Sequence, residues 1–357
     1  MKLSKILLAS TALAVTAGVA TAGELTVVSW GGAYTVSQVE AYHKPWIAAT
    51  GNTILSEDYS GGLAEVKSQV EAGNVTWDLV DVELSDAVRG CDEGLLEEID
   101  PSILPAAPDG TAAMDDFIDG ALTECAVANI VWSTIFAYDS SMTTGVDSID
   151  DFFNLADFPG KRGMRKGPKA NLEMALMADG VPAGEVYALL ETEEGVARAF
   201  AKLDTIKDMV VWWEAGAQPP QLLADGEVVM TTAYNGRIFN AAANEGKSFE
   251  IVWDGQIMDL DLWVIPKGAP HLDLAMDFVA FSTATEQLAA QASWISYGPA
   301  RKSSGALVGN FHDSDMDMAP HMPTAASNLS NALLNDFEFW ADNQDELNER
   351  FNAWLAS

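Results

Sequence analysis

The chain is predicted to adopt an α/β fold, built from mainly parallel sheets with helices on their faces. Three observations lead to this prediction. Strand-like and helix-like segments alternate, each of the first three strands is followed by a helix, and hydrophobic residues make up 48% of the 357 residues. Such alternation is typical of parallel sheets, and the apolar content suffices for the cores of two domains.

The first half of the chain is read as three strand–helix units and one longer strand. β-branched runs predict the strands, and apolar residues at helical spacing predict the helices. Strands are expected at 24–28, 53–57 and 75–82, and helices at 35–49, 63–71 and 87–93. The β-branched run at 126–138 is long enough for a strand that leaves the first domain.

The second half is organised around an aromatic and polar stretch at 210–237. A strand at 210–213 leads into a loop at 214–220, which Pro219 and Pro220 are expected to keep out of helix. A helical turn at 221–224 and a strand at 227–233 follow. Elsewhere, helices are expected at 149–158, 170–178, 182–206, 238–244, 271–283, 285–291 and 328–355, and strands at 249–253 and 257–265, with a turn between these strands.

The N-terminus has the pattern of an export signal. Lys2 and Lys5 precede an apolar run at 6–19, and Ala20-Thr21-Ala22 matches a cleavage site. Residues 1–22 are therefore expected to be a cleaved signal peptide, with the mature protein in the periplasm. A retained N-terminal helix is the alternative. A lipid anchor is not expected, because no cysteine lies at the cleavage site.

The chain is strongly acidic, with a formal net charge of −34. This charge argues against nucleic acid as a partner, because phosphates are bound by Lys and Arg. An acidic surface could attract cations, but a merely solvated surface of the kind that salt-adapted proteins carry is the simpler interpretation.

Cys91 and Cys125 are the two cysteines of the chain, and an even count in an exported protein suggests one disulfide. The four histidines form no zinc signature, so no metal is expected. The sequence has no nucleophile elbow, zinc-protease motif, phosphate-binding loop or dinucleotide fingerprint, so we expect no enzyme and no cofactor. A glycoside hydrolase with paired carboxylates remains the enzyme alternative.

Four residues of the 210–237 stretch are predicted to lie near a ligand, because they stand at strand ends: Trp212, Trp213, Glu214 and Tyr234. Adjacent strand residues point to opposite faces, so only one of the two tryptophans should face a cleft. The basic cluster at 161–169 is read as a solvated turn, and Trp132 as a core residue.

Several motifs together resemble a known family. They are Trp-Gly-Gly-x-Tyr at 30–34, Leu-Ala-x-Gly-Glu-Val-x-Met at 223–230, Tyr-Asn-Gly at 234–236, Asp-x-x-x-Ile-Pro-Lys at 261–267 and Tyr-Gly-Pro at 297–299. In order and spacing the mature chain resembles the periplasmic substrate-binding proteins of ABC importers, specifically the spermidine/putrescine-binding branch.

The resemblance implies a type II, two-lobed periplasmic binding protein fold with strands crossing between the lobes. Lobe 1 would comprise 23–136 and 264–330, lobe 2 would comprise 137–263, and the helical segment 331–357 would pack across them. The protein would be a monomer that captures a small amine, such as putrescine or spermidine, and delivers it to an inner-membrane permease.

The resemblance also carries ligand positions over to this sequence. They fall at Trp30, Tyr34, Glu83, Tyr234, Asp259, Asp261 and Tyr297. At Glu83 the family has Ser, and at 165–169 a basic run replaces two family acids, so the ligand could be shorter than spermidine or zwitterionic. An amino acid or a sugar is a further alternative. Aromatic faces and carboxylates at these positions suit an alkylammonium group.

Overall fold

The computed structural model describes residues 22–357, so the predicted signal peptide lies outside the described residues except for Ala22. The strands are β1 Glu24–Ser29, β2 Thr53–Asp58, β3 Leu79–Glu83, β4 Ala126–Asp139, β5 Arg162–Arg165, β6 Val210–Trp213, β7 Met230–Tyr234, β8 Phe249–Val264, β9 Gly298–Pro299 and β10 Leu333–Leu334. The helices are α1 Gly32–Gln38, α2 Lys44–Thr50, α3 Ala64–Glu71, α4 Leu84–Asp92, α5 Ala113–Asp116, α6 Ile149–Phe153, α7 Asn171–Ala178, α8 Val186–Leu190, α9 Glu193–Asp204, α10 Gln218–Ala224, α11 Asn235–Glu245, α12 Leu272–Ser282, α13 Thr285–Ala292, α14 Lys302–Gly305 and α15 Phe337–Ala356.

The main strands are hydrogen-bonded in the order β2-β1-β3-β8-β4-β7-β5-β6. Parallel pairs lie at both ends of this order, where β1 pairs with β2 and β3, and β5 pairs with β6 and β7. We call β1, β2 and β3 with their helices lobe 1, and β5, β6 and β7 with their helices lobe 2. Each lobe therefore has the predicted α/β character.

Two long antiparallel strands connect the lobes. β4 has 14 residues and β8 has 16, and they pair along nearly their whole length. One end of β8 pairs with β3 of lobe 1, and the far part of β4 pairs with β7 of lobe 2. The exact lobe boundaries near residues 136 and 264 stay a prediction, because both strands belong to each lobe along part of their length.

Each lobe has its own buried core. Lobe 1 packs Val27, Leu79 and Phe278 together, and lobe 2 packs Phe152, Leu176 and other residues against the C-terminal helix. A separate, mainly aromatic cluster lies between them and contains Tyr34, Ile130, Trp132, Trp213, Tyr234, Ile295 and Tyr297. The aromatic residues of the crevice are thus distinct from both cores.

Three sequence predictions need correction. Residues 249–265 were expected to form two strands, but β8 is continuous, because Gly255 at φ 77° accommodates a bulge instead of a turn. The basic cluster contains β5, with Arg162 fully buried and donating to the carbonyls of Phe152 and Phe158. Pro219 and Pro220 lie in the first turn of α10, where a missing N–H costs nothing.

Two features link distant parts of the chain. Cys91, at the end of α4, and Cys125, just before β4, form the expected disulfide. The C-terminal helix α15 packs Trp340 and Phe351 into lobe 2, while its Asp345 forms an ion pair with Arg89 of α4. Within the described part of the chain, no helix is long and apolar enough to cross a membrane.

Candidate ligand-binding site

The carboxyl ends of strands from both lobes meet along one crevice. Trp30 follows β1 and Glu83 ends β3 in lobe 1, while Arg165, Trp213 and Tyr234 end β5, β6 and β7 in lobe 2. Open α/β sheets bind ligands at this edge, because the loops there converge and helices begin there. The crevice is therefore the candidate site.

A cavity lies at the centre of the crevice. Its lining consists of Trp30, Tyr34, Glu83, Trp132, Tyr234, Arg237, Asp261 and Tyr297. The structure thus brings six of the predicted residues to one cavity. Asp259, a seventh, lines an adjoining cavity together with Trp213.

The aromatic walls are held by edge-to-face contacts. Trp132 and Trp213 pack their rings at 4.9 and 5.5 Å from that of Tyr234, and Tyr34 lies 5.4 Å from Tyr297. Gly236 permits this arrangement, since a Cβ there would come within 2.6 Å of Tyr297. The packing fixes the rings before any ligand arrives, which reduces the entropy lost on binding.

The acidic side of the cavity is formed by neighbouring strands. Asp261 of β8 is paired in register with Glu83 of β3, and its Oδ1 accepts a 2.8 Å hydrogen bond from the Trp132 indole. Burial, followed by the charges of Asp81, Glu83 and Asp259, raises the pKa of Asp261 well above its ordinary value. Burial also raises the pKa of Asp259 to about 7. A ligand cation would relieve this unfavourable accumulation of charge.

Behind the cavity, a buried carboxyl orients Tyr34. The Tyr34 hydroxyl donates to Asp81 Oδ2 over 2.8 Å, and the Gln38 side chain donates to the same oxygen over 2.6 Å. Burial raises the pKa of Asp81 to about 7, although these hydrogen bonds oppose the shift. Asp81 does not line the cavity, so it acts on the site through the position of Tyr34.

Two cations of lobe 2 pair with one carboxylate of lobe 1. Arg165 donates to Glu83 Oε1 over 3.1 Å, and Lys169 donates to Oε2 over 2.7 Å. Burial would raise the pKa of Glu83, but the charges of Lys169 and Arg165 override burial and lower it to about 2. Glu83 is therefore ionised, and it joins the lobes at the edge of the cavity.

Arg237 makes a second connection between the lobes. From the first turn of α11 its guanidinium donates to the carbonyls of Gly31, at 2.6 Å, and Trp30, at 3.0 Å. Its Nε is buried without a hydrogen-bond partner, and within residues 22–357 no carboxylate pairs with this side chain. Gly32 leaves room for the guanidinium, since a Cβ there would lie 2.7 Å from Arg237 Nη1. Arg237 therefore brings to the cavity lining a positive charge that no carboxylate of the described residues pairs with.

Two predicted residues lie outside the cavity. Trp212 points to the opposite side of β6, where it packs at 5.4 Å from Phe351 of α15, so Trp213 is the tryptophan that faces the crevice. Glu214 is exposed and pairs with Lys166 over 2.9 Å. Trp212 faces away from the crevice because adjacent strand residues point to opposite faces. Glu214 is exposed because it lies in the loop that follows β6.

Sequence reasoning missed several residues of the crevice, which are Trp132, Arg165, Lys169 and Arg237. The basic cluster looked like a solvated turn, but β5 directs Arg165 inward. Arg237 directly follows the Tyr-Asn-Gly motif, which was a usable signal, but a cation was not expected in a site predicted to bind an amine. Among the described residues, no group of His, Cys, Asp and Glu could hold a metal ion.

The sequence matches the family of bacterial extracellular solute-binding proteins over residues 41–324. The chain belongs to this family. Its members bind small ligands and deliver them to the membrane permease of an ABC transporter. The matched region includes six of the eight residues that line the cavity, and Trp30 and Tyr34 precede it.

Individual relatives agree with this assignment. The gamma-aminobutyric acid-binding protein of Pseudomonas aeruginosa is 46% identical over 333 residues, which is 93% of this chain and 91% of that protein. The solute-binding protein MotA from A. tumefaciens B6, solved with glucopine, is 31% identical with a TM-score of 0.84, covering 93% of this chain and 99% of that one. The Atu4243-GABA receptor is 32% identical with a TM-score of 0.78, covering 94% and 98%.

These solved relatives are type II periplasmic binding proteins, so the predicted fold class is confirmed. The comparisons do not single out the spermidine/putrescine-binding branch that the sequence predicted. A spermidine/putrescine-binding protein, PotD from Streptococcus pneumoniae, is only 14% identical at a TM-score of 0.68, and its likeness shows the fold alone. The family is therefore shown, and the ligand has to be argued from the site.

Proposed function

We propose that this protein is the periplasmic binding component that captures 4-aminobutanoate (GABA), or a similarly short ω-amino acid, for an ABC transporter. The observation that carries the proposal is the charge pattern of the central cavity. Asp261 is an acid with no cationic partner in the described chain, and Arg237 is a cation with no carboxylate partner. A zwitterion supplies both missing charges.

The ammonium end of such a ligand fits the Asp261 side of the cavity. A carboxylate there gives a charge-assisted hydrogen bond, and the faces of Trp30 and Tyr234 attract a cation. Each cation–π contact contributes about 0.5–2 kcal/mol, more where water is excluded. This part of the site agrees with the amine predicted from the sequence.

The carboxylate end fits Arg237, which has a buried and unpartnered Nε. Arg165 and Lys169 are weaker candidates for this role, because both already donate to Glu83. A diamine such as putrescine would instead place its second ammonium group toward the Arg237 guanidinium. We therefore favour the zwitterionic alternative over the polyamine.

Two further observations support a small amino acid. The cavity is lined by residues of both lobes, so one small ligand can contact Trp30 of lobe 1 and Tyr234 of lobe 2 together. The relative from Pseudomonas aeruginosa, at 46% identity, is a gamma-aminobutyric acid-binding protein. Because the family and this relative are solute-binding proteins, we propose binding and transport without catalysis.

Thermal denaturation tests the proposal across ligand classes. Ligand that binds only the folded state stabilises it by about 2.7 kcal/mol at one hundred times Kd. We expect GABA and 5-aminopentanoate to raise the melting temperature clearly, and putrescine, spermidine and glucose to leave it nearly unchanged. A rise with putrescine and none with GABA would overturn the proposal in favour of the polyamine.

A further inference from the structure

Glu83 is a buried carboxylate that lies between two cations, in a site where we propose that a ligand carboxylate also binds. It ends β3, its side chain is only 6% exposed, and each of its two oxygens accepts from a different cation of lobe 2. Lys169 also donates to Ser85 over 2.6 Å. The protein thus supplies its own anion to Arg165 and Lys169.

The position of Glu83 relative to the cavity matters for ligand chemistry. Glu83 lines the central cavity, and it also lines an adjoining cavity together with Arg165 and Lys169. It is paired in register with Asp261, where we place the ammonium group. A carboxylate on the amine-bearing carbon of a ligand would therefore point toward Glu83 and the two cations behind it.

We propose that Glu83 makes the site selective for ω-amino acids, by repelling a carboxylate next to the ammonium group and by occupying the two cations that would bind it. The inference rests on the proposed function. L-Glutamate is the sharpest probe, because it is GABA with one added carboxylate on the amine-bearing carbon. Wild-type protein should reject it through charge repulsion by a buried, ionised Glu83.

Removal of Glu83 reverses both effects. In Glu83→Ala the freed cations repel the ammonium group of GABA and attract the added carboxylate of L-glutamate. We expect the ratio of the two Kd values, measured by isothermal titration calorimetry, to shift by at least tenfold toward glutamate. Glu83→Gln keeps the shape and loses the charge, so its shift should have the same direction and a smaller size.

The chain offers a matched control. Glu214 also pairs with a lysine of the basic cluster, over 2.9 Å, but its side chain is 67% exposed and lies outside the cavity. Glu214→Gln should leave the Kd ratio within twofold of wild type. A comparable shift in this control would show that the net charge of the crevice, and not the position of Glu83, sets selectivity.

A ligand series on wild-type protein tests the same claim without any variant that has to fold. L-Isoglutamine carries a neutral amide in place of the added carboxylate at nearly the same size. We expect it to bind at least tenfold more tightly than L-glutamate. Equal binding of the two would overturn the proposal, because rejection would then depend on shape.

The two proposals fail separately. If wild-type protein binds no short ω-amino acid, the proposed function is wrong and this inference falls with it. If it binds GABA, yet the glutamate ratio is unchanged in folded Glu83→Ala and Glu83→Gln, only the selectivity role of Glu83 is overturned. Circular dichroism and melting temperature establish that each variant is folded.

Discussion

At the residue scale, the site is defined by which charges the protein already satisfies itself. Arg165 and Lys169 are paired with Glu83, and Asp81 is held by Tyr34 and Gln38. Asp261 and Arg237 have no such partner of opposite charge in the described chain. An unpaired buried charge is costly, and burial correspondingly raises the pKa of Asp261. These two residues therefore specify the ligand more than any single aromatic ring does.

Arg237 should select the carboxylate of the ligand. Replacement by Gln removes the positive charge and the guanidinium hydrogen bonds to two carbonyls of lobe 1. We expect Arg237→Gln to weaken GABA binding at least tenfold, as measured by calorimetry. The uncharged analogue 4-aminobutanamide should lose much less, and an equal loss for both ligands would show that Arg237 acts only on lobe closure.

Asp261 should release a proton when the ligand binds near neutral pH. Burial raises its pKa in the free protein, and a ligand ammonium group favours the ionised form and lowers that pKa. Affinity for GABA should therefore fall as the pH drops. Calorimetry in buffers of different ionisation enthalpy measures the released protons.

The control for this prediction is Asp261→Asn, in which the amide oxygen can still accept from Trp132. This variant should bind at least tenfold more weakly and release fewer protons. Proton release equal to that of wild type would assign the titration to Asp81 or Asp259, whose pKa values are also raised to about 7.

At the element scale, the ends of the strands position the site residues, and a few contacts between elements stabilise that arrangement. The sequence predicted most strands and the aromatic residues at their ends, because local apolar patterns determine both. It could not predict that β5 turns Arg165 inward, because pairing of β5 between β6 and β7 is a long-range property. For the same reason, β8 was read as two strands.

The disulfide connects α4 to the start of β4 and closes a loop of 34 residues. In the chain-entropy model this contributes about 3–4 kcal/mol, because the unfolded chain is restricted. We expect the double variant Cys91→Ser, Cys125→Ser to lose about that amount in urea denaturation, with little change in GABA affinity. Wild-type protein under reducing conditions is the matched comparison, and unchanged stability in both would contradict the prediction.

Glu173 of α7 connects lobe 2 to the C-terminal helix. Its Oε1 accepts from the Trp340 indole over 2.7 Å, and burial raises its pKa from 4.5 to about 7. The folded state thus holds this proton more tightly than the unfolded chain. The associated stability is complete below about pH 4.5 and is lost as the pH rises through 7.

Glu173→Gln cannot lose this proton and can still accept from Trp340. Relative to wild type, it should gain about 3 kcal/mol in unfolding free energy between pH 4.5 and pH 8. Urea titrations across that range give the measurement. Glu191→Gln, at an exposed position of the same lobe, should follow wild type. A constant difference between Glu173→Gln and wild type would show that Glu173 does not titrate in this way.

At the scale of the whole molecule, the two lobes meet over polar contacts that the ligand would complete. Glu83 and Arg237 each join lobe 1 to lobe 2, and the Arg89–Asp345 pair joins α4 to α15. A ligand that contacts both lobes favours the closed arrangement over an open one. Binding and closure are therefore expected to be one coupled equilibrium.

The solute-binding family and the two-lobed fold class were predictable from the sequence, because the motifs that indicate them are short local runs of residues. The ligand was less predictable. The aromatic residues Trp30, Tyr34, Tyr234 and Tyr297 suit any amine, and the distinction between a polyamine and an amino acid depends on Arg237. Its role emerges only when the fold brings α11 to the loop after β1.

A crystal structure of the protein with GABA would show whether Arg237 and Asp261 hold the two ends of the ligand. We expect the ligand carboxylate within hydrogen-bond distance of Arg237 and the ammonium group within hydrogen-bond distance of Asp261, between the rings of Trp30 and Tyr234. A ligand bound in the reverse orientation, or outside the cavity shared by these residues, would contradict the account.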